Sequence, residues 1–560
     1  MNCKILPITV SAMAALTTAA CQLDGADGSA PEASAAALAA AADTCVWAPT
    51  AVVTPGVIPV TRVGMPVVLD VAIANSNPAS CAALSVELDI TDTGLLFDPR
   101  PRAPGVPPTI VTVASGATSH VTVTATAPAS ADGGDVTPVS FVLRDPTQPP
   151  NQVVVPSLPF TVATTPGCQV STSHELMIKT VSVVDDPVRT VFDPSSRDPR
   201  NGVWTLKHLA EAMARTPGDA AAMVEALLTS FHTPQTINGF TVAARPNLQS
   251  QVLAAWPRTA TGALDLAKPP LRLQAIVNRF DLRNLASGDA GEGRFVFAFD
   301  LPTAPPIPPP QATIIFEYKL PALVDRDVLA WAVAFHQLGG LAFGEGYNAA
   351  LQVITERFTH RGARPGHPNG SAINAVRTNE IPFGDNGLWE LREFHLSAAS
   401  GRLEPATVDL TPDLAFNNTS ALAAYINANQ AQIIAETHTV PETLNGAPFR
   451  AGAVLNDLST WFAPGVDNEA RHHFAINTCN GCHGRDETGT GFLHLAPRPV
   501  GAEALRSRWL TGTVVSDPVT GNPRSFDDLG RRKADLKSIV CPSAGSPPHD
   551  TLVKGISRVH

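Results

Sequence analysis

The segment RHHFAINTCNGCHG, residues 471–484, carries the most specific chemical pattern in the 560-residue chain. Cys479 and Cys482 lie three residues apart in it, and His483 follows directly. In a helix, this spacing puts both thiols on one side of a turn. Residues 468–478 have the pattern of a helix that would deliver the cysteines to a common site. The segment therefore predicts a helix with a Cys/His site at its end.

The five residues Cys479-Asn480-Gly481-Cys482-His483 resemble the CxxCH haem-attachment site of c-type cytochromes. In such a site the two thiols add to the vinyl groups of a haem, and the histidine becomes the proximal ligand of the iron. The resemblance implies one covalent haem c on Cys479 and Cys482, with His483 on its iron. Gly481 would let the backbone lie close to the porphyrin edge. The resemblance covers only this helix and the loop that follows it.

Three other interpretations of the pattern stay open: half of a zinc site, a redox-active CxxC and a chance match. Zinc would need further ligands, and His494 is the nearest candidate because the chain has no second CxxC. A redox CxxC of the thioredoxin type would follow a strand in a βαβ unit, whereas a helix is predicted before Cys479. Haem attachment is the leading interpretation.

The second axial ligand of the iron departs from the pattern of the usual small cytochrome, which takes a methionine downstream of its CxxCH. The last methionine of this chain is Met223. His494 is the best local candidate, because it lies eleven residues after His483, next to Phe492 and Leu493, and can reach around a haem edge. Coordination by His494, an open or water-bound iron, and a ligand from elsewhere in the chain stay open.

The first 21 residues have the pattern of a secretory signal, with a positive charge on Lys4 and an apolar stretch that ends at Leu16. The end of this segment, Thr18-Ala19-Ala20-Cys21, resembles the cleavage box of bacterial lipoproteins. Thr18 stands where a large aliphatic residue is more usual, so soluble export with cleavage near Ala20 is the alternative. We expect an exported protein, periplasmic or on the cell surface, anchored to a membrane by a lipid on Cys21.

The rest of the chain predicts a multidomain protein. Residues 22–44 form an Ala-rich linker. Residues 45–166 contain short Val- and Thr-rich runs between Pro and Gly turns, which predict an immunoglobulin-like antiparallel β-sandwich. Residues 169–464 predict a large α+β domain. Residues 465–543 predict a mostly α-helical, cytochrome c-like haem segment, and residues 544–560 a flexible tail.

The α+β domain has recognisable candidate elements. Its predicted helices are 204–215, 220–231, 325–338, 347–358 and 420–438. Its predicted strands are 176–184, 271–281, 294–300, 312–319 and 388–396. Charged residues cluster at 278–284 and 291–294, where buried ion pairs are a simpler explanation than a catalytic site. No GxSxG or HExxH motif occurs, so no catalytic residue is predicted.

The eight cysteines fit an oxidising compartment. Cys45 and Cys81 would pair inside the sandwich. Cys168 and Cys541 flank the α+β domain and the haem segment, and a disulfide between them would join the two ends. The sequence alone does not fix this connectivity.

The composition of the chain and the chemistry of the Cys/His segment together limit the functions that this protein can have. The net charge is −11 and the chain has no basic run, which argues against nucleic-acid binding. Two axial histidines, His483 and His494, would saturate the iron and leave electron transfer to a redox partner protein as the leading function. A peroxidase-like haem enzyme with an open distal site is one alternative, so enzymatic activity is left open. A non-redox surface or binding lipoprotein with a structural Cys/His site is the other.

Overall fold

The structure is a computed structural model, and the description covers residues 45–54, 65–90, 96–98, 108–126, 136–148, 151–155, 158–161, 169–301, 311–457, 459–541 and 549–553. The predicted signal segment, the Ala-rich linker and Cys168 lie outside the described residues. Among the described residues, no helix combines the length and apolar character needed to cross a membrane.

The N-terminal part is built from antiparallel strands. In chain order they are β1 (Thr50–Thr54), β2 (Pro66–Ala74), β3 (Leu84–Ile90), β4 (Leu96–Asp98), β5 (Thr109–Val113), β6 (Thr118–Thr126), β7 (Val136–Val139), β8 (Phe141–Arg144), β9 (Gln152–Val154) and β10 (Leu158–Thr161). One sheet has the order β1-β2-β6-β4, the other has the order β5-β3-β8-β9, and β7 pairs with β10.

The two sheets enclose one apolar core, as the alternating pattern predicted. Val67, Leu69 and Val71 occupy alternate positions on β2 and are fully buried. They belong to the same core cluster as Val86 on β3 and Phe141 on β8, which come from the opposite sheet. The predicted antiparallel sheets are therefore confirmed, and the two sheets share one apolar core. Cys45 and Cys81 are both disulfide-bonded, which confirms the disulfide predicted for this region.

The remaining strands belong to the α+β region and to the C-terminal segment. They are β11 (Met177–Ile178), β12 (Gln235–Ile237), β13 (Phe240–Val242), β14 (Leu271–Arg279), β15 (Asp289–Phe299), β16 (Ala312–Pro321), β17 (Ile373–Glu380), β18 (Trp389–Leu396), β19 (Leu403–Ala406), β20 (Thr443–Leu444), β21 (Ala447–Pro448), β22 (Val454–Asn456), β23 (Thr513–Ser516) and β24 (Pro523–Phe526). The central sheet is antiparallel and has the order β11-β14-β15-β16-β17-β18-β19, with β22 also paired to β18.

The α+β region and the C-terminal segment also contain helices. They are α1 (Val181–Val184), α2 (Leu206–Met213), α3 (Ala220–Thr229), α4 (Pro246–Leu248), α5 (Asp325–Gln337), α6 (Glu345–Thr359), α7 (Ser420–Ala428), α8 (Gln430–Ile434), α9 (Asn468–Ile476), α10 (Cys479–Cys482), α11 (Arg485–Thr488), α12 (Arg508–Thr511), α13 (Asp528–Val540) and α14 (His549–Val553). Short 3-10 or π turns lie at Thr172–Leu176, Pro217–Asp219, Ser230–His232, Gln249–Leu253, Phe280–Leu282, Leu285–Ser287, Leu338–Gly340, Pro368–Gly370 and Leu414–Phe416.

The C-terminal segment shares its core with the α+β region. Phe474 and Ala475 on α9 pack in one cluster with Trp389 on β18, while Leu536 on α13 belongs to the main core. A separate, mostly helical segment is therefore not evident, and the hairpin of β23 and β24 was not predicted. The predicted flexible tail contains the short helix α14, which Leu552 anchors because its side chain is buried in the main core.

Candidate functional site

The CxxCH segment begins where α9 ends. The side-chain oxygen of Thr478 accepts a hydrogen bond from the Gly481 amide at 3.1 Å and caps α10. Backbone bonds from the Cys482 and His483 amides reach the carbonyls of Thr478 and Cys479. Both cysteines thus lie on one helical turn, as their spacing predicted.

Gly481 is required by the backbone around it. A Cβ atom at this position would overlap the carbonyl oxygen of Ala475 and would lie 2.8 Å from the hydroxyl of Thr478. The absence of a side chain is therefore needed for the turn from α9 into α10 to form. The sequence suggested a different reason, the approach of a porphyrin, which stays a prediction.

We expect Gly481→Ala to lower the free energy of unfolding by about 1–3 kcal/mol, because the new methyl group forces the turn apart. Urea unfolding followed by circular dichroism measures the change. Gly491→Ala is the matched control, since a Cβ there meets nothing within 4 Å, and we expect it to stay within about 0.5 kcal/mol of the wild type. Equal effects of the two substitutions would contradict the steric explanation.

The His483 imidazole is held in one tautomer. Its Nδ1 lies 2.5 Å from the carbonyl oxygen of Phe492, which can only accept, so Nδ1 carries the hydrogen. The ring also stacks on Trp389, with centroids 4.8 Å apart. Burial lowers the pKa of His483 to about 4, so the ring is neutral at physiological pH. The Nε2 lone pair is thereby left as the coordinating atom, which is the usual arrangement of a metal-binding histidine.

His494 lies directly beside this histidine. The two ring centroids are 4.2 Å apart. His494 Nδ1 is 2.9 Å from the Ser507 hydroxyl, and its Nε2 is 3.2 Å from the Sγ of Cys482. Burial lowers the pKa of His494 well below its usual value. The structure therefore brings Cys482, His483 and His494 together.

Cys479 faces a different environment. It belongs to the apolar cluster of Trp389 and Phe474, and its backbone amide donates to the Thr411 hydroxyl at 3.0 Å. Burial raises the pKa of the Cys479 thiol to about 12. Cys479 and Cys482 are thiols and are not joined to each other. Although Cys482, His483 and His494 are neighbours, the described part of the chain holds no group of three or more His, Cys, Asp or Glu side chains in an arrangement that could hold a metal ion.

A cavity lies between the central sheet and the C-terminal segment, with His483 and His494 on its wall. Its volume is about 80 Å³, and part of it is open to solvent. Its apolar lining residues are Met177, Val277, Val296, Ile315, Leu391, Leu495 and Leu510. Its charged lining residues are Arg279, Arg294, Glu317, Arg377 and Arg532.

The charged side chains on the sheet form buried ion pairs across neighbouring strands. Arg294 on β15 lies opposite Glu317 on β16, with 3.0 Å between their charged groups. Arg377 on β17 contacts Glu317 at 3.0 Å and Glu393 on β18 at 2.9 Å. Arg279 pairs with Asp281 at 2.8 Å. The clusters at 278–284 and 291–294 therefore form buried ion pairs, as the sequence predicted.

The donor set fits a covalently bound haem in two respects: both thiols lie on one turn, and His483 presents Nε2 as a ligand. The neighbouring cavity has apolar side chains and arginines on its wall, but at about 80 Å³ it would have to widen to admit a macrocycle, since ligand pockets usually have about 300–1,000 Å³. The rings of His483 and His494 are also in contact, so an iron bound by both requires them to separate. The sequence predicted Cys479, Cys482, His483 and His494, but it did not predict the contacts made by the Phe492 carbonyl, Ser507 and Trp389. A backbone carbonyl acceptor leaves no sequence signal.

A comparison with protein-family models found no match, and a comparison with curated proteins found no similar sequence, so the assignment of this site rests on the residues themselves.

Proposed function

We propose that this protein is a c-type haem protein that transfers electrons outside the cytoplasmic membrane. Cys479 and Cys482 would hold the haem covalently, and His483 would bind its iron. The observation that carries the proposal is the hydrogen bond from His483 Nδ1 to the Phe492 carbonyl, because it leaves Nε2 for the metal. The bound haem supplies one-electron redox chemistry.

The surrounding residues tune this site. The Phe492 carbonyl orients the His483 ring and raises its basicity, and the Trp389 ring stacks on it. His494 would be the second residue to bind the iron, and its hydrogen bond to Ser507 orients its ring. The apolar and charged side chains of the cavity would set the polarity around the haem, which is one of the means by which a protein tunes a haem potential.

The proposal includes export and membrane attachment. The secretory pattern of residues 1–21 and a lipid on Cys21 would hold the protein at a membrane, in the periplasm or on the cell surface, where a redox partner protein exchanges electrons with it. The disulfide-bonded state of Cys45, Cys81 and Cys541 supports an oxidising compartment. Residues 465–543 act as the cytochrome c-like segment, although their core is continuous with the α+β region.

An absorption spectrum of protein matured with haem-attachment machinery tests the proposal. We expect a Soret band that is lost in Cys479→Ala/Cys482→Ala, and a low-spin ferrous spectrum that carbon monoxide does not change. His494→Ala should convert it to a form that binds carbon monoxide. A wild type without a Soret band would contradict the haem proposal and favour a structural Cys/His site in a non-redox lipoprotein.

A haem enzyme is the second candidate, and the charged cavity beside His494 is the observation that favours it. An open distal side would let a small ligand reach the iron, and the cavity would be its binding chamber. A high-spin wild-type spectrum that shifts at once with carbon monoxide would select this candidate over electron transfer.

A further inference from the structure

Two arginines on the cavity wall, Arg279 and Arg532, belong to a buried group of charges that does not balance. Arg279 and Arg531 both contact Asp281 at 2.8 Å. Arg531 and Arg532 contact Asp528 at 2.7 and 2.5 Å. Among these five side chains, three are cations and two are anions, and only Arg531 is substantially exposed, at 30 %. The group therefore carries one excess positive charge in a buried position.

Two guanidinium N–H groups of this cluster lack acceptors. Among the described residues, Arg279 Nη1 and Arg532 Nε have no hydrogen-bond partner. Arg279 is fully buried and Arg532 is 4 % exposed, and both residues line the cavity. A buried cationic N–H without an acceptor is costly, because it has lost water and gained nothing in return. A negatively charged acceptor in the cavity would offset this cost and would also balance the excess positive charge.

The neighbouring charges do not supply that acceptor. Arg283 and Asp535 pair with each other at 2.6 Å and add no net charge. Glu317 lies at the part of the cavity where Arg294 and Arg377 already contact it. The unsatisfied positive charge is therefore confined to the group that contains Arg279 and Arg532.

We propose that Arg279 and Arg532 form a subsite for one carboxylate group, next to His494. A single negative charge balances the cluster, and the planar guanidinium matches a carboxylate in shape. The carboxylate comes either from a haem propionate or from a free small molecule that enters the cavity. The propionate form rests on the haem proposed above, whereas the free-carboxylate form does not.

The first arm of the test uses the full chain produced without haem-attachment machinery. Its thermal unfolding is measured against sodium acetate, with sodium chloride at equal ionic strength as reference. We expect a saturable rise in midpoint with acetate alone, and about tenfold or more weaker acetate binding in Arg532→Gln, because a charge-assisted hydrogen bond is lost. Arg279→Lys, which keeps the charge but removes the planar fork, is the second variant in case the first fails to fold.

Arg392→Gln is the matched control. Arg392 is also buried beside a glutamate, and its Nη1 also lacks a partner among the described residues, but it does not line the cavity. We expect it to leave the acetate response unchanged. An equal loss of acetate binding in Arg392→Gln and Arg532→Gln would overturn the subsite.

The second arm uses the haem-loaded protein and separates the two carboxylate sources. If a propionate fills the subsite, acetate has no effect, and Arg532→Gln lowers the reduction potential because a positive charge near the iron is removed. If the occupant is a free carboxylate, the acetate response persists in the loaded protein. Absence of the acetate response in both forms, with an unchanged potential in Arg532→Gln, overturns the proposal. A chain that never shows a Soret band contradicts the haem proposal alone, since the first arm still decides the subsite.

Discussion

Glu487→Ala should lower the free energy of unfolding by about 3–5 kcal/mol, because it strips a buried arginine and a buried histidine of their shared carboxylate. Glu487 on α11 is 2 % exposed and accepts hydrogen bonds from Arg471 and from His472 Nδ1, the latter at 3.0 Å. Arg471 and His472 lie on α9 and are 3 % and 4 % exposed. The carboxylate therefore ties α9 to α11 across the CxxCH turn.

Arg471 keeps other partners after this change, but they do not replace the lost charge. Its Nη1 donates to the Trp461 carbonyl at 3.1 Å, and its Nη2 lies 3.5 Å from Asp517. Asp517 is already 3.0 Å from Arg524. The guanidinium is thus left largely uncompensated in a buried site, which is the main cost when one member of such a pair is removed.

Urea unfolding of the haem-free chain, followed by tryptophan fluorescence, measures this effect. Glu469→Ala is the matched control: Glu469 lies on α9, as Arg471 and His472 do, and contacts Arg524 and His473, but its side chain is 47 % exposed. A surface ion pair of this kind contributes about 0–1 kcal/mol. Similar losses in the two variants would show that burial does not set the value of the Glu487 pairs.

The sheet shows where sequence patterns succeed and where they fail. The ends of the predicted strands 271–281, 312–319 and 388–396 lie within two residues of the ends of β14, β16 and β18. The strand β17 was not predicted, because Arg377 and other polar residues interrupt its apolar pattern. These polar side chains are buried all the same, since Arg377 finds Glu317 and Glu393 on adjacent strands. A hydropathy profile cannot show that the charge of Arg377 is neutralised, because its partners lie 16 and 60 residues away in the sequence.

The prediction of a strand at 176–184 was wrong over most of its length. Only Met177–Ile178 pairs in the sheet, and Val181–Val184 forms the helical turn α1. Valine favours strands locally, but Val183 and Val184 are buried here in a helical turn. Tertiary packing thus overrides the local preference.

The candidate site could be predicted only in part. Its cysteines and histidines were identified because their chemistry depends on spacing along the chain. Arg279 and Arg532 were not, because they come from β14 and α13 and meet only in the folded protein. The same limit applies to Phe492, whose contribution to the site is a backbone carbonyl.

His438 should make the protein unstable in mild acid. Its side chain is 3 % exposed, and neither ring nitrogen has a hydrogen-bond partner among the described residues. Burial lowers the pKa of His438 to about 4, with a smaller raising effect from Glu436 and a lowering one from His473. The native ring therefore stays neutral while a histidine of the unfolded chain, with a pKa near 6.5, takes up a proton.

The direction in which pH changes the free energy of unfolding follows from this difference in proton uptake. Above about pH 6.5 the ring is neutral in the folded and in the unfolded chain, so its titration does not change the free energy of unfolding. Between about pH 6.5 and 4 only the unfolded chain is protonated, so the free energy of unfolding falls as the pH falls, by about 3 kcal/mol over the whole interval. Removing the imidazole should abolish this part of the pH dependence.

His438→Leu is the direct test, with urea unfolding at about pH 8 and about pH 4.5. We expect the loss of stability between the two pH values to be smaller than in the wild type by about 2–3 kcal/mol. His438→Gln is the companion variant, because glutamine does not titrate but keeps a buried polar group. We expect it to reduce the pH dependence of stability as much as His438→Leu does. It should be less stable than His438→Leu at both pH values. If His438→Leu loses as much stability in acid as the wild type, His438 is not the group responsible.

The position of His438 links this acid response to the candidate site. Its ring lies 6.5 Å from that of Phe474, an apolar anchor of α9, the helix that leads into Cys479. Protonation that opens this contact would loosen α9 before the central sheet, whose strands are held by many more pairings, gives way. Hydrogen exchange at about pH 4.5 should therefore show earlier loss of protection in α9 than in β16, and His438→Leu should restore it.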